Sequence, residues 1–263
     1  MNYENEDLIL AHVIDYVEFT KSSNKNNINL DKLRFNWVQK VINTSNKIYH
    51  LTDIGSNLGY MCIKFNQIFN IQCLGYEYEK ATYVKANNII NKDSKIKYLN
   101  KGLKLSTLRL LKKTDLIIHL NVLHHAGHMY DKNLIKNPND WKKYSLKYLN
   151  MLSKKSKYLF FQTGNVNYNK SYFSNEETFI LLPQILKSSG WNIKKVGMIN
   201  FSKKKLKYNT YNKSEIKKIS KISCKRDKKS KQVFYYKDKK LIFKYNSGFL
   251  QRPLFWCQSK NFK

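Results

Sequence analysis

Short apolar segments alternate with amphipathic ones from residue 48 to residue 196, and this alternation restricts the fold more than any other feature of the chain. Each apolar run has the length of a strand, and most are followed by a segment with helical spacing. The predicted strands are 48–54, 71–78, 96–99, 116–120, 158–162 and 191–196, and the predicted helices are 60–68, 83–90, 141–152 and 179–188. Such an order is typical of an α/β protein with a doubly wound parallel sheet.

The segments on either side of this pattern differ from it. Residues 7–20 and 32–42 have helical spacing and are separated by a polar loop, so we expect residues 1–47 to form an N-terminal helical lid. Residues 201–263 carry 20 Lys and Arg against three acids, and strands at 232–236 and 240–245 are predicted to form a hairpin. We therefore expect a basic insertion over 201–247, followed by a last strand at 253–258.

The net charge of +31 favours a nucleic-acid partner, but its composition weakens that interpretation. Only four of the 49 basic residues are Arg, and the chain also contains 31 Asn. An AT-rich coding sequence would enrich Lys and Asn in this way without any selection for charge. Codon bias does not explain the shortage of Asp and Glu. We therefore treat the positive charge as partial evidence for a nucleic-acid partner.

Several classes of protein are excluded by composition. The four cysteines are scattered and form no CxxC pair, so neither a disulfide framework nor a zinc site is predicted. The apolar runs are too short to span a bilayer, and residues 1–10 lack the pattern of a signal peptide. We expect a protein of the reducing cytoplasm with no membrane span, and the sequence does not indicate its oligomeric state.

The motif most informative about chemistry is the heptapeptide DIGSNLG, residues 53–59, between the first predicted strand of the alternation and its helix. Gly55 allows a tight turn, and Gly59 allows the backbone to approach a ligand. The helix that follows directs free N–H groups toward the same place. The NAD-binding pattern GxGxxG would require a glycine at Asn57, so a dinucleotide site is not indicated.

An acid at the end of the next strand makes this pattern specific. Glu77 lies 18 residues after Gly59, where a carboxylate can accept hydrogen bonds from both hydroxyls of a ribose. With DIGSNLG, the segment LGYEYEKATYVKAN at 74–87 and DLIIHLNVLHH at 115–125, the chain resembles the class I S-adenosylmethionine-dependent methyltransferases over residues 48–200.

The resemblance implies a Rossmann-like sheet, mostly parallel with an antiparallel last strand, in a cofactor-binding domain made of residues 48–200 and 248–263. It implies S-adenosyl-L-methionine as cofactor, with Asp53 near the methionine end, Glu77 on the ribose and Asn121 near the sulfonium. Asn100 stands where many members have an acid for the adenine, and Tyr60 and Tyr78 are candidates for the pocket wall. The predicted cofactor residues are Asp53, Gly55, Ser56, Asn57, Gly59, Glu77, Asn100 and Asn121.

Three histidines follow the fourth strand of the alternation. His124 or His125 is a candidate catalytic base, since imidazole is available as a base near pH 7, although packing is an equally ordinary role. His124 and His128 have the spacing of metal ligands on a helix, but no carboxylate stands with them before Asp131, so we predict no metal.

The acceptor is left open between a small molecule or glycan and RNA. Signatures of DNA amino-methylation and of cytosine carbon methylation are missing after Asn121, and a ribose-methylating Lys/Asp/Lys/Glu set cannot be placed. Lys203, Lys204, Lys205 and Lys207, with Tyr208 and Tyr211, could hold RNA by phosphate contact and stacking. The polar segment 161–173 instead suits a small-molecule or glycan acceptor, which we favour slightly. A cofactor fold acting as a non-catalytic interaction module is a further alternative.

Overall fold

The structure is a computed structural model of the chain, and it describes residues 13–18, 25–42, 47–90, 94–167, 170–174, 177–202, 205–216, 224–226, 233–237, 240–245 and 252–263. Five α-helices and fifteen strands lie within these residues. The helices are α1 Leu30–Val41, α2 Tyr60–Phe69, α3 Lys80–Ile89, α4 Pro138–Ser153 and α5 Thr178–Ser188. No helix in this part of the chain is both long and apolar enough to cross a bilayer.

A central sheet of eight strands forms the middle of the protein. Its strands are β3 His50–Ile54, β4 Gln72–Glu77, β5 Ile96–Asn100, β6 Thr114–Leu120, β7 Ser156–Gln162, β10 Trp191–Ser202, β11 Lys205–Tyr211 and β15 Leu254–Ser259. They stand in the order β11-β10-β15-β7-β6-β3-β4-β5. Strands β5, β4, β3, β6 and β7 are parallel, whereas β15 runs antiparallel to both β7 and β10. The predicted α/β class and its antiparallel last strand are confirmed.

Apolar residues on both faces of the parallel strands explain why the sheet is covered on both sides. On one face α1 and α2 bury Phe35, Trp37 and Phe65 in a core with the sheet. On the other face α4 and α5 bury Trp141 and Leu186 in a second core. These two layers of helices make the sheet doubly wound, as the alternation predicts.

A smaller antiparallel sheet joins distant parts of the sequence. Its strands, in the order β12-β13-β14-β1-β2, are β12 Cys224–Arg226, β13 Val233–Lys237, β14 Lys240–Tyr245, β1 Val13–Glu18 and β2 Lys25–Asn29. The predicted hairpin corresponds to β13 and β14, apart from its turn at 238–239 and residue 232, which lie outside the described residues. A two-residue pair, β8 Val166–Asn167 with β9 Lys170–Ser171, lies beyond β7.

The first N-terminal helix, expected over 7–20, is wrong where the structure describes it, because Val13–Glu18 is the strand β1. Three β-branched residues, Val13, Ile14 and Val17, favour a strand, and β1 has partners on both sides in β2 and β14. Strand β2 likewise replaces part of the expected loop. The second N-terminal helix is confirmed as α1.

The domain boundaries at 47 and 200 stay predictions. Two elements from outside these boundaries nevertheless pack with the central sheet. Helix α1, from the predicted lid, is buried in the core of the central sheet. Strand β11, from the predicted insertion, adds an edge strand to that sheet beside β10.

Candidate active site

The glycine turn after β3 has the tight geometry that its sequence predicts. Gly55 and Gly59 have positive φ angles of 74° and 84°, in the region that favours glycine. The N–H groups of Gly55 and Ser56 both donate to the carbonyl of Tyr76, at 2.8 and 3.0 Å. A β-carbon at Gly55 would overlap the side chain of Val122. The turn therefore joins the ends of β3 and β4 and brings the loop after β6 close to both.

Asp53 is buried beneath this turn. Its carboxylate faces the Cys62 thiol, with 3.9 Å between Sγ and Oδ2, and only 4% of the residue is exposed. Burial, and then the negative charges of Glu77 and Asp31, raise the pKa of Asp53 to about 8. A positively charged group bound next to this carboxyl would stabilise its ionised form and lower its pKa.

Glu77 ends β4 and supports the glycine loop. One carboxylate oxygen accepts from the N–H of Asn57 and the other from the N–H of Glu79, each at 2.9 Å. A carboxylate offers about four acceptor positions, so these two bonds leave capacity for a pair of ligand hydroxyls. Asn57 itself has a positive φ of 49°.

Asn100, at the end of β5, is held differently from what the resemblance implies. Its amide nitrogen donates to the carbonyls of Glu77 and Tyr78, both at 3.0 Å. The side chain stabilises the turn after β4 and does not line the cavity described below, whereas Lys101 and Gly102 do.

Asn121 is the centre of a polar network that sequence reasoning missed. It has a positive φ of 59°, and its amide donates to Gln162 Oε1 at 3.2 Å while its oxygen accepts from Arg252 at 2.8 Å. Arg34 Nε donates to the same Gln162 oxygen at 3.0 Å, and Gln162 Nε2 donates to the carbonyl of Arg252 at 2.8 Å. Arg34, Asn121 and Arg252, which are far apart in sequence, thus all hydrogen-bond to the side-chain amide of Gln162. The only signal in the sequence is the rarity of arginine, since two of the four Arg lie here.

The turn after β6 places the side chains of His124, His125 and His128 in three different environments. His124 is buried, and its Nδ1 accepts a long hydrogen bond of 3.4 Å from the N–H of Gly164. Burial, with the positive charge of Arg252 as the next cause, lowers its pKa. His125 is half-buried, with its ring centre 4.0 Å from that of His124, and it lines the cavity, whereas His128 is exposed. Of the two predicted bases, the structure therefore brings His125 to the cavity.

A cavity of about 500 Å³ lies at the carboxyl ends of β3, β4 and β6. Strand β3 has β4 on one side and β6 on the other, so the chain reverses direction across the sheet here, which is where open α/β sheets bind ligands. The volume is in the range of small-molecule and cofactor sites. Its walls are Ile54, Gly55, Asn57, Tyr76, Glu77, Tyr78, Glu79, Lys101, Gly102, Leu103, Lys104, Leu120, Asn121, Val122, His125, Met129 and Tyr130.

A second cavity, of about 50 Å³, lies beside the first and shares Gly55, Asn57 and Leu120 with it. Helix α1 forms one wall through Asp31 and Arg34. The remaining walls are Asp53, Ser56, Leu58, Tyr60 and Met61. Of the predicted pocket residues, Tyr78 thus lines the larger cavity and Tyr60 the smaller. Among the described residues, no group of three His, Cys, Asp or Glu is placed to hold a metal ion.

The doubly wound sheet with its antiparallel last strand, and a cavity at the carboxyl ends of its parallel strands, are the arrangement that the resemblance in the sequence implies. Solved methyltransferase structures are similar to this chain in fold, at low identity.

Three of them illustrate the likeness. The bifunctional kinase-methyltransferase WbdD is 14% identical over 51% of this chain, with a TM-score of 0.41. Magnesium protoporphyrin IX methyltransferase (ChlM) from Synechocystis PCC 6803, solved with bound SAM, is 13% identical over 67% of this chain and 73% of its own, with a TM-score of 0.43. StiE O-MT, residues 942–1257, is 12% identical over 89% of this chain and 75% of its own, with a TM-score of 0.48.

The chain spans under a third of the WbdD chain, 28% in one structure and 31% in another. No protein-family model and no curated protein matches the sequence. These likenesses concern the fold, and neither activity nor acceptor follows from them.

Proposed function

We propose that this protein is an S-adenosylmethionine-dependent methyltransferase acting on a small-molecule or glycan acceptor. The observation that carries the proposal is Glu77, whose carboxylate ends β4 at the wall of a cofactor-sized cavity and keeps acceptor capacity for ribose hydroxyls. Asp53 and Ser56 add buried polar groups in the adjoining small cavity. This donor set suits a ligand with a ribose at one end and a charged amino-acid group at the other.

The residues of this chain supply binding and positioning. Glu77 would hold the ribose, and the glycine turn would leave space for the ligand between β3 and β6. When bound, the sulfonium supplies an activated methyl group, which an acceptor oxygen takes as the carbon–sulfur bonding pair leaves on sulfur. His125 lines the cavity and is our candidate for receiving the hydroxyl proton, and Asn121 is held beside it by Gln162 and Arg252.

Packing of the tyrosines in β11 supports the small-molecule acceptor over RNA. Tyr208 is only 9% exposed, its ring lies 6.0 Å from that of Trp37, and its hydroxyl accepts from Gln162. Tyr211 packs partly buried against the second core. A nucleobase cannot stack on the buried ring of Tyr208, so one of the two tyrosines of the RNA hypothesis has another role.

A transfer assay tests this proposal. Purified protein would receive S-adenosylmethionine with a labelled methyl group and a host extract, and the products would be separated into RNA, glycan and small-molecule fractions, with and without RNase. We expect label in the small-molecule or glycan fraction with the wild type and with Glu215→Ala, a carboxylate outside the cavity. Glu77→Ala should give only background.

Two results would contradict the proposal. Label confined to the polymer fraction and released by RNase would make RNA the acceptor. Label that never exceeds the Glu77→Ala background in any fraction would argue against a methyltransferase.

A further inference from the structure

Basic residues are concentrated at the edge of the central sheet opposite the larger cavity. Strands β7, β6, β3, β4 and β5 begin at this edge, and β15 ends there because it runs antiparallel to β7. Because neighbouring strands lie about 4.8 Å apart, these strand ends span about 24 Å. The segments that flank them contain nine cationic residues, which we call the basic edge: Lys47, Lys95, Arg109, Lys112, Lys113, Lys154, Lys155, Lys260 and Lys263.

Contacts between distant segments bring these residues together. Lys155 Nζ donates to the carbonyl of Arg109 at 2.9 Å, and the N–H of Thr114 donates to the carbonyl of Lys155 at the same distance. Lys113 Nζ donates to the main-chain oxygen of Lys263 at 2.8 Å, although the two residues are 150 positions apart. The loops before β6 and β7 and the segment after β15 thus form one continuous surface.

Acidic residues do not neutralise the charge of the basic edge. Among the described residues that flank these strand ends, Asp115 is the one acid, and its carboxylate accepts from the N–H groups of Tyr49 and His50 at 2.8 and 3.0 Å. The walls of the larger cavity, by contrast, carry two lysines and two glutamates. Codon bias would enrich lysine at both edges alike without removing acids from one of them. The asymmetry therefore indicates an anionic partner.

Exposed apolar side chains accompany the charge and favour a membrane over RNA. Tyr49 is 62% exposed, Ile68 48% and Leu110 72%, and they shortly precede β3, β4 and β6 respectively. An aliphatic side chain is no stacking platform for a nucleobase, but it can enter the boundary between lipid headgroups and acyl chains. Eight of the nine cations are Lys, whose point charge an anionic surface attracts in any orientation, whereas recognition of single phosphates favours the planar fork of Arg.

We propose that the basic edge docks the protein on a membrane surface that contains anionic phospholipids. Its lysines lie against the headgroups, and Tyr49, Ile68 and Leu110 enter the boundary with the acyl chains. The larger cavity is at the other edge of the sheet, so its mouth faces away from the bilayer when the protein is docked. An acceptor in the aqueous phase can then still reach His125.

Sedimentation with lipid vesicles tests this inference and requires neither cofactor nor acceptor. The full chain would be mixed, at about 0.1 M salt, with vesicles of phosphatidylcholine alone or with about one third phosphatidylserine. We expect binding to the phosphatidylserine vesicles to be at least about 100-fold stronger, because each lysine near the surface contributes about fivefold. Salt at about 0.5 M should remove most of this difference by screening the charges.

A pair of charge variants locates the surface that binds. Lys112→Gln combined with Lys154→Gln removes two exposed charges from the basic edge and should weaken binding to phosphatidylserine vesicles about 20- to 30-fold. Lys142→Gln combined with Lys143→Gln makes the same change at two exposed lysines near the start of α4. This control should change the binding by less than about twofold, because its charges lie outside the docked surface.

A pair of apolar variants tests the contact with the acyl boundary. Leu110→Ala should weaken binding to phosphatidylserine vesicles about three- to tenfold, because part of the leucine side chain leaves water on docking. Ile180→Ala, at a side chain of α5 that is 62% exposed, is the matched control and should leave the binding unchanged.

Three results would overturn the inference. The first is equal binding to the two kinds of vesicle, and the second is an equal loss in each variant and its control. The third is a single-stranded RNA that binds the protein when phosphatidylserine vesicles do not, and that loses affinity with Lys112→Gln and Lys154→Gln, since the basic edge would then be a nucleic-acid surface. None of these results bears on the proposed function, because the experiment contains no methyl donor.

Discussion

Asp53 shows how a single residue links the fold to the chemistry of the site. It lies one residue before the end of β3, and burial with the charges of Glu77 and Asp31 raises its pKa from 3.8 to about 8. Near neutral pH the folded protein therefore holds this carboxyl mostly protonated. A bound ammonium group would favour the ionised form, so ligand binding should release a proton.

The same pKa predicts how stability depends on pH. Between the pKa of 3.8 expected in the unfolded chain and the value of about 8 in the folded protein, the folded state binds the extra proton. The contribution to the free energy of unfolding is therefore full below about pH 4 and is lost as pH rises toward 8, by up to about 1.4 kcal/mol per pH unit. Asp53→Asn should abolish this loss.

The measurement is urea unfolding of wild type and Asp53→Asn between about pH 6.5 and 8. His119 and His124, whose pKa values are lowered by burial, contribute an opposite trend that fades above about pH 6.5, and this trend is shared by both proteins, so it cancels in their comparison. From about pH 6.5 to 7.5 the wild type should lose about 1 kcal/mol more than the variant. Asp115→Asn, at the opposite end of the sheet, should behave as the wild type does. Parallel pH profiles for wild type and Asp53→Asn would contradict the account.

At the scale of the elements, the parallel strands could be predicted because they are buried on both faces. Strands β6 and β7 contain the apolar runs Leu116–Ile118 and Tyr158–Phe161, and a polar residue or a glycine stands at the end of each parallel strand or just after it, as Gly55 does after β3. The positions of Glu77 and Asn121, our candidate cofactor residues, are predictable for the same reason, since Glu77 ends β4 and Asn121 directly follows β6.

What could not be predicted depends on contacts between distant segments. Val13–Glu18 has a spacing that fits a helix or a strand, and the choice is made by pairing with Lys240–Tyr245 more than 200 residues later. The bond from Arg34 to Gln162 likewise joins residues 128 positions apart. No local pattern in the sequence carries this information.

Helix α4 offers a test of local stability that leaves the site untouched. The side chain of Asn137 accepts from the N–H of Asp140 at 3.0 Å, and Pro138 occupies the first turn. Asn137→Ala should reduce the free energy of unfolding by about 0.5–2 kcal/mol, because an unpaired N–H remains at the helix start.

Urea unfolding measures this loss, with Lys142→Ala on the exposed side of the same helix as the neutral control. The affinity for S-adenosylhomocysteine should be equal in both variants. An unchanged stability for Asn137→Ala would show that the cap contributes nothing, and a changed affinity would show that α4 affects the cavity.

At the scale of the whole molecule, the site is assembled from both ends of the chain. Helix α1 is fixed to β11 by the hydrogen bond from Trp37 to Thr210, 3.0 Å long. Arg252, two residues before β15, donates to Asn121 at 2.8 Å. The predicted lid and the beginning of the predicted insertion thus form the wall of the small cavity and its support. We expect ligand affinity to depend on these outer elements as well as on the glycine turn.

The central claim is that the cavity at Glu77 binds the cofactor, and a calorimetric titration with S-adenosylhomocysteine tests it most directly. The wild type and Glu215→Ala should bind with equal affinity, and Glu77→Ala should bind at least about 100-fold more weakly, because two charge-assisted hydrogen bonds to the ribose are lost. A Glu77→Ala variant that remains folded and binds as tightly as the wild type would contradict the account, as would a wild type that does not bind at all.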